Sequence, residues 1–428
     1  MADTIFVGGK TYLTTRSEGS QSTPGNYGTY ASGGDDDYRV LVTTFNPNFK
    51  NNMIRIYTLG GGRSYAQVVP GKFEASGSFE YDVQNGDLFK YAYGSVTSGT
   101  QATKDLDGTE ITGSPTAALK AYVVTESDTL DSFSMDITQI SSQSAEDVRH
   151  RYAGVKINQL SLKADTENPL KATVDWLAQK PTTVVDSLSA PSTTSFDDVP
   201  KMFYQGQLLI GTGDYGANGT GTLNTMTDSS KSWTADQWNT NYILIDDTGM
   251  AFVITDNDAT TLTVSGTPSS GAYFITPKSA YTSAQVIQCN SIDSTLTNNL
   301  EQYWSFTNDT GRGVRFLLEK QREYTLTLDM NFSNADQLGR FYDSTGSISD
   351  SGKSPTTTTE YTPFMIVVDY KTSTSDGDDY KGMRVVYDDV VFDEDSLPVD
   401  PMDILKQTIT AYAKRSAIFY ITNETQTA

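Results

Sequence analysis

The sequence predicts a mainly β protein: two tandem β-rich units, each with a short helix, plus a small β-barrel or sandwich domain inserted in the second. Three observations predict it. Short Thr/Val/Ile/Tyr/Phe runs alternate with Gly/Asn/Asp/Ser clusters, the punctuation of strands and turns. The same signposts recur in the same order in both halves of the chain. One stretch of the second half has no counterpart in the first and carries its own strand pattern. The predicted boundaries are 1–185 for the first unit, 186–200 for a Pro/Ser/Thr-rich linker, 201–428 for the second unit and 211–279 for the insertion.

Taken in order, Phe6-x-x-Gly9 opens the first unit as Phe203-x-x-Gly206 opens the second. Val40 and Phe45-Asn46-x-x-Phe49-x-Asn51-Asn52 match Ile287 and Ile292-Asp293-x-x-Leu296-x-Asn298-Asn299. Val68–Val83 alternates with period two, which marks a half-buried strand. Phe73, Ala75, Gly77, Phe79 and Tyr81 fall on one face; Glu74, Ser76, Ser78, Glu80 and Asp82 fall on the other. Its end, Phe79-Glu80, matches Leu328-Asp329. Asn85–Tyr93 puts Leu88, Phe89 and Ala92 on one helical stripe, with Asn85 or Asp87 as N-cap. Asn334, Asp336, Leu338, Tyr342 and Ser344 repeat Asn85, Asp87, Phe89, Tyr93 and Ser95. Tyr152-x-Gly154-Val155-Lys156-Ile157 then meets Tyr380-x-Gly382-Met383-Arg384-Val385. Leu170-Lys171-x-Thr173-Val174 meets Leu405-Lys406-x-Thr408-Ile409. The spacing between matches changes only inside Gly/Ser/Thr/Asp-rich stretches, where insertions are tolerated. The chain therefore reads as one β unit written twice. Within 211–279, Tyr242–Ile245, Phe252–Ile254, Leu262–Val264 and Tyr273–Ile275 read as the strands of a small domain hung from a loop.

Composition narrows the chemistry. The 428 residues carry 31 Lys+Arg against 53 Asp+Glu, a net charge of −22, which excludes a basic reader of nucleic acid. One His and one Cys exclude a His/Cys zinc site and a disulfide framework within one chain. No run of 18–20 apolar residues spans a bilayer, and the first residues lack the basic and apolar regions of a signal peptide. A soluble product made in a cytoplasm is expected.

Each candidate site has a plainer reading. Gly211-x-Gly213-x-x-Gly216 fits a dinucleotide pattern but runs into Ala-Asn-Gly-Thr-Gly-Thr, which cannot open the required helix. Asp376-Gly-Asp378-Asp379 and Asp35-Asp36-Asp37 read as solvated turns, because the full calcium loop is absent. His150 lies between Arg149 and Arg151 without a nucleophile motif. Cys289 matches Val42 and reads as a small core residue. Trp233 and Trp238 form either a sugar-stacking platform or the core of the insertion. No metal, cofactor or catalytic residue is expected. The small acidic face of the 74–82 strand, with Thr325-Thr327-Asp329-Asn331 as counterpart, is either an ordinary solvated face or a wall that meets polyanionic DNA without binding it.

The Gly-rich opening strand, the Asn-Asn turn, the Gly-Ser-Phe-Glu-Tyr strand with its short helix, and the later Tyr-x-Gly-Val-Lys-Ile-Asn and Leu-Lys-Ala-Thr-Val strands resemble the tail tube (major tail) proteins of long-tailed phages and related archaeal viruses. Val286–Asn299 and Arg322–Phe332 resemble the same family. The resemblance implies β-sandwiches whose inner sheets join around a ring, rings that stack into a hollow tube, and viral DNA passing without specific binding. Two units per chain imply a homotrimeric, pseudo-hexameric ring. It implies Glu74, Glu80, Asp82 and Asp329 as lumen-facing, and the loops Gly94–Ser132 and Asp343–Thr362 as ring-to-ring contacts. It implies an outward insertion carrying Trp233 and Trp238. Further implied partners are tape measure, terminator and baseplate proteins; a membrane is not among them. The implied location is the virion tail, assembled in host cytoplasm. Two other classes remain open: a virion or cell-surface adhesin with a carbohydrate-binding insertion, and a carboxylate-based hydrolase.

Overall fold

A computed structural model describes residues 11–18, 38–59, 64–84, 86, 88–97, 99–111, 119–140, 147–186, 200–279, 286–304, 311–332, 336–343, 363–371, 380–398 and 405–422. The first part of the chain forms β1 (Thr11–Ser17), β2 (Tyr38–Val40), β3 (Val42–Lys50), β4 (Ile54–Ile56), β5 (Gln67–Val69), β6 (Glu74–Asp82) and α1 (Phe89–Tyr93). It continues with β7 (Gly94–Val96), β8 (Thr100–Gln101), β9 (Lys120–Glu126), β10 (Phe133–Gln139), β11 (Asp147–Asp165), β12 (Lys171–Ala178) and β13 (Lys180–Asp186). β14 (Gly206–Gly211) leads into β15 (Asp214–Thr222), β16 (Thr225–Thr227), β17 (Tyr242–Ile245), β18 (Ala251–Asn257), β19 (Thr261–Val264) and β20 (Gly271–Pro277). The chain ends with β21 (Val286–Ile287), β22 (Cys289–Thr297), β23 (Glu301–Tyr303), β24 (Phe316–Leu318), β25 (Glu323–Asn331), α2 (Asp336–Asp343), β26 (Phe364–Lys371), β27 (Gly382–Ser396), β28 (Lys406–Ala413) and β29 (Arg415–Thr422).

The architecture is mainly β, as the period-two patterns predict. β6 alternates as expected, with Ala75, Phe79 and Tyr81 buried and the acidic face half-exposed. The first helix is shorter than the sequence predicts. α1 begins at Phe89, its N-cap position is Leu88, and no side chain caps it. Asn85 and Asp87, the expected caps, lie outside the described residues. Gly94 ends α1 in the left-handed region, φ 102°, where glycine has no Cβ to clash.

Seven strand pairings of the first half correspond one for one with seven of the second. β1 pairs with β2 and β10, β10 with β11, β11 with β12 and β13, and β6 with β12 and β3. Likewise β14 pairs with β21 and β26, β26 with β27, β27 with β28 and β29, and β25 with β28 and β22. The ladders even slip at matching places: Val42/Thr44 with Cys289/Ser291, Phe133/Met135 with Phe364/Ile366, and Ile157/Gln159 with Phe392/Glu394.

These registers correct one sequence match. Tyr152 stands opposite Met135 as Tyr387 stands opposite Ile366. The counterpart of Gly154 is therefore Asp389, not Gly382, and both are left-handed, at φ 64° and 52°. A glycine drew the sequence match seven residues away. Asp tolerates that backbone region well enough to replace glycine there.

β11 and β27 are long because each crosses between layers. The first half of β11 pairs with β10 and β13, and its second half with β12 and β22. The layers enclose one core running through both halves, including Phe79, Phe133, Tyr152 and Trp176 with Leu326, Leu328, Val385 and Ile418. The insertion is a closed six-stranded barrel, ordered β15-β16-β19-β18-β17-β20. It is not loosely hung. Its interior is continuous with Leu209, Val367 and Phe419 of the outer sheet and with Ala121 and Val123 of β9.

Candidate functional site

The feature that organises the molecule is the ladder between β11 and β22, where Gln159 to Asp165 meet Thr297 to Ser291. It joins the two halves into one eight-stranded antiparallel sheet, β3-β6-β12-β11-β22-β25-β28-β27. Glu74, Glu80, Asp82 and Asp329 all lie on the polar face of this sheet, away from the core. The alternation of buried and half-exposed residues along β6, β12 and β25 produces that face.

Hydroxyls and carboxylates run across it. Asp329 accepts from Ser291 Oγ at 3.0 Å and from Thr408 Oγ1 at 2.7 Å, so both flanking strands hold it. Asp293 accepts from Ser161 Oγ at 2.7 Å across the joint. Desolvation raises the Asp175 carboxyl above its ordinary range. Asp165 is held below it: slight burial is overcome by the amides of Glu167 and Asn168. β6 and β25 carry no Lys or Arg, but their neighbours supply Lys50, Lys163, Lys171 and Lys406 to the same sheet. Reading single strands missed these lysines, because only the pairing brings them together. The acidic groups still outnumber them, with Asp165, Asp175, Asp293, Glu323 and Glu394 joining the four named above.

The joint has its own side chains. Asn298, fully enclosed, donates through Nδ2 to Ala92 O and Ile157 O, both at 3.0 Å. Its Oδ1 accepts from Arg322 Nε at 3.0 Å, and Arg322 Nη2 reaches Tyr93 O and Ser127 O. Asn299 takes the turn at φ 49°, as Asn52 does at φ 42°. The β23–β24 hairpin then lies on the first half. Lys156, buried, is paired with Glu319; Gln179 Nε2 donates to Arg315 O; Lys72 stands 4.1 Å over the Trp304 ring. Burial lowers the Lys156 ammonium below its ordinary range despite Glu319.

A second polar cluster ties three segments together. The Arg384 guanidinium, fully buried, meets Asp369 bidentately at 2.5 and 2.7 Å, Asp107 at 3.0 Å and Thr276 Oγ1 at 3.1 Å. Burial works to raise the Asp107 carboxyl, but Arg384 and Lys371 hold it well below the carboxylate range.

The remaining sequence candidates resolve as follows. The stretch Gly94–Ser132 is no open loop. It contains β7, β8 and β9, and β9 adds to β29 as an outer strand. Ser132 is buried and donates to Glu18 at 2.8 Å. The continuous apolar run Ala121–Val124, buried on both faces, made this strand; the flanking Gly and Asp clusters hid it. Asp343 ends α2, while residues 344–362 lie outside the described residues, as do Asp35–Asp37 and Asp376–Asp379. Trp233 and Trp238 are 8% and 2% exposed, and Trp233 Nε1 donates to Asp214 at 2.6 Å. They are barrel core, so no sugar platform exists at this pair. Gly211 ends β14 and Asp214 starts β15, with no helix for a pyrophosphate. His150 Nδ1 lies 3.0 Å from Thr183 Oγ1, and burial lowers its basicity. Burial pushes the Cys289 thiol up to about 12, which leaves it unreactive. Among the described residues no group of three or more His, Cys, Asp or Glu side chains could hold a metal ion, and no helix is long and apolar enough to cross a membrane.

Two comparisons bear on this arrangement. A search of curated proteins finds no match. The family model described as phage tail tube protein matches residues 17–230, from β1 through the first half into the barrel. On that match, which spans half of the chain, the protein belongs to the phage tail tube protein family.

Proposed function

We propose that copies of this chain close side by side into a ring of three, and that stacked rings form a tube through which viral DNA passes. One observation carries the reading: the eight-stranded sheet already joins two matching units edge to edge inside one chain. It ends in two strands, β3 and β27, that are the counterparts of the two joined at its middle. Such a sheet can repeat the same contact until it closes, which is how a ring removes its open edges. The one-for-one pairings support reading the chain as a tandem duplication, with the second unit lying beyond most of the family match. Three chains then make six units.

The polar sheet face would line the bore, with Glu74, Glu80, Asp82 and Asp329 on its wall. Each phosphate neutralised by a cation adds affinity, so a conduit gains from carboxylates that repel phosphate and hydroxyls that offer only neutral bonds. The barrel, welded to the opposite layer, would project outward. Tape measure, terminator and baseplate proteins would meet the ends of the tube. The chain has a structural role in this reading and no catalysis. Negative-stain microscopy of the purified chain tests it: rings or tubes with a central hole are expected, and a species that stays monomeric at high concentration contradicts it.

A further inference from the structure

The inner joint supplies a template for the outer one. Strand β3 occupies in the first half the place of β22 in the second, with Phe49 at the position of Leu296. Leu296 is 3% exposed because β11 covers it, whereas Phe49 is 46% exposed. The hairpins compare in the same way. Leu317 of β24 is 2% exposed against the first half, and its counterpart Val68 of β5 is 37% exposed. Around Val68, the residues Ile54, Ile56, Tyr57 and Tyr65 are exposed as well. On the other flank of the chain Leu397 and Tyr412 are exposed beside the free edge of β27. The buried Lys156–Glu319 pair of the inner joint has Val391 and Pro70 as its counterparts. The two open flanks are thus apolar where the closed joint is ionic, and each fits the other better than water.

Hydrogen bonding distinguishes the two joints further. In antiparallel ladders the N–H groups of alternate residues point to the same neighbour. Asn298 N donates to Asn158 O at 2.8 Å, so Leu296 and Ser294 also point toward β11. The counterpart of Ser294 is Pro47, which has no N–H. Its ladder with β6 loses nothing, because the missing donor faces the open edge, the place where a strand tolerates proline. Asn51 is the counterpart of Asn298.

We propose that β3 of one copy enters against β27 of a second copy with Lys50 opposite Glu394 and Asn48 opposite Ser396, and that Pro47 leaves this outer ladder one bond short of the inner one. The proposal rests on the ring reading above and fixes its register and its weak point. Asn51 then bonds Phe392 O of the second copy as Asn298 bonds Ile157 O. The β4–β5 hairpin covers Val391 and Tyr412, the counterparts of Lys156 and Leu177. A joint weaker than its template keeps newly made chains apart until an apolar flank and an end of the growing tube hold them together. It also blunts an edge that would otherwise pair with any strand.

The test uses the full chain carrying Asn48→Cys with Ser396→Cys. The residues at these positions in the inner joint, Thr295 and Ser161, form a close pair without ladder bonds, the spacing that admits a disulfide. Mild oxidation is expected to give a reductant-sensitive covalent trimer on a non-reducing gel. Asn46→Cys with Ser396→Cys, displaced along the strand, is expected to stay unlinked. Absence of the link, or equal linking in both variants, overturns the register. Rings seen by microscopy alongside that result leave the ring reading standing; absence of rings removes both. Pro47→Ser restores the missing donor and is expected to tighten each joint by about 2- to 12-fold, read as a lower concentration for ring formation. An unchanged or higher concentration overturns the role given to Pro47.

Discussion

At the scale of the residue, two matching asparagines do different work. Asn298 fills three buried hydrogen-bond positions inside the chain, so Asn298→Ala is expected to cost about 2–4 kcal/mol of stability by leaving buried groups unpaired. Within one chain Asn51→Ala removes only an exposed bond, the one its Oδ1 accepts from Arg312 Nη2 at 3.2 Å. It is expected to leave the melting temperature within a degree or two of the parent while weakening assembly; calorimetry and sedimentation separate the two effects. The Asn-Asn signposts were legible in the sequence because a left-handed turn restricts the residues that fit it. What the first Asn of each pair does was not legible, because its partners lie on α1 and β11, far along the chain.

The Arg384 cluster was hidden for the same reason. Its carboxylates, Asp107 and Asp369, belong to separate segments, and the sequence match set Arg384 beside Lys156 instead. Asp107 gives it a pH signature. A carboxylate whose folded pKa is depressed contributes its full stability above the ordinary value of 3.8 and loses it progressively as pH falls from there toward the lower folded value. Asp107→Asn is therefore expected to be less stable than the parent at neutral pH, with the gap closing below about pH 4. Denaturant unfolding at pH 7 and pH 3 measures it; a gap that widens in acid contradicts the assignment.

At the scale of the element, alternation made β6, β12 and β25 readable, since one buried face leaves a period-two trace. Gly77 in β6 was legible as a face position but not as a contact. A Cβ there would meet the Trp176 ring and Asn46 O at 2.6 Å, so the glycine lets the largest core side chain lie flat on the strand. Gly77→Ala is expected to destabilise by about 1–3 kcal/mol through overpacking, measured by denaturant unfolding. The crossing strands β11 and β27 were less legible. Their length looks like two strands, and the residue that turns the corner differs, Gly154 in one and Asp389 in the other. β9 escaped notice because its partner β29 lies in the other half.

At the scale of the whole molecule, the repeated order of signposts was readable because it needs no knowledge of contacts. The joint between β11 and β22 was not, since nothing in either strand marks its neighbour. The proposed acidic bore rests on that joint. Glu80→Lys with Asp329→Lys is expected to leave tubes intact, after the loss of the Ser291 and Thr408 bonds to Asp329, while slowing genome passage. Infectivity of virions carrying both substitutions reads this out; normal infectivity would remove these positions from the wall. The apolar flanks make a further demand, because a chain with Phe49, Ile54 and Tyr57 in water is expected to self-associate through that surface.

The central claim is that one chain supplies two of the six places in a ring. Native mass spectrometry of assembled rings counts the chains directly. The repeated strand pairings and the two open edges, read as a duplication, predict three chains per ring. Six chains per ring, or a chain that never leaves the monomer, would contradict it.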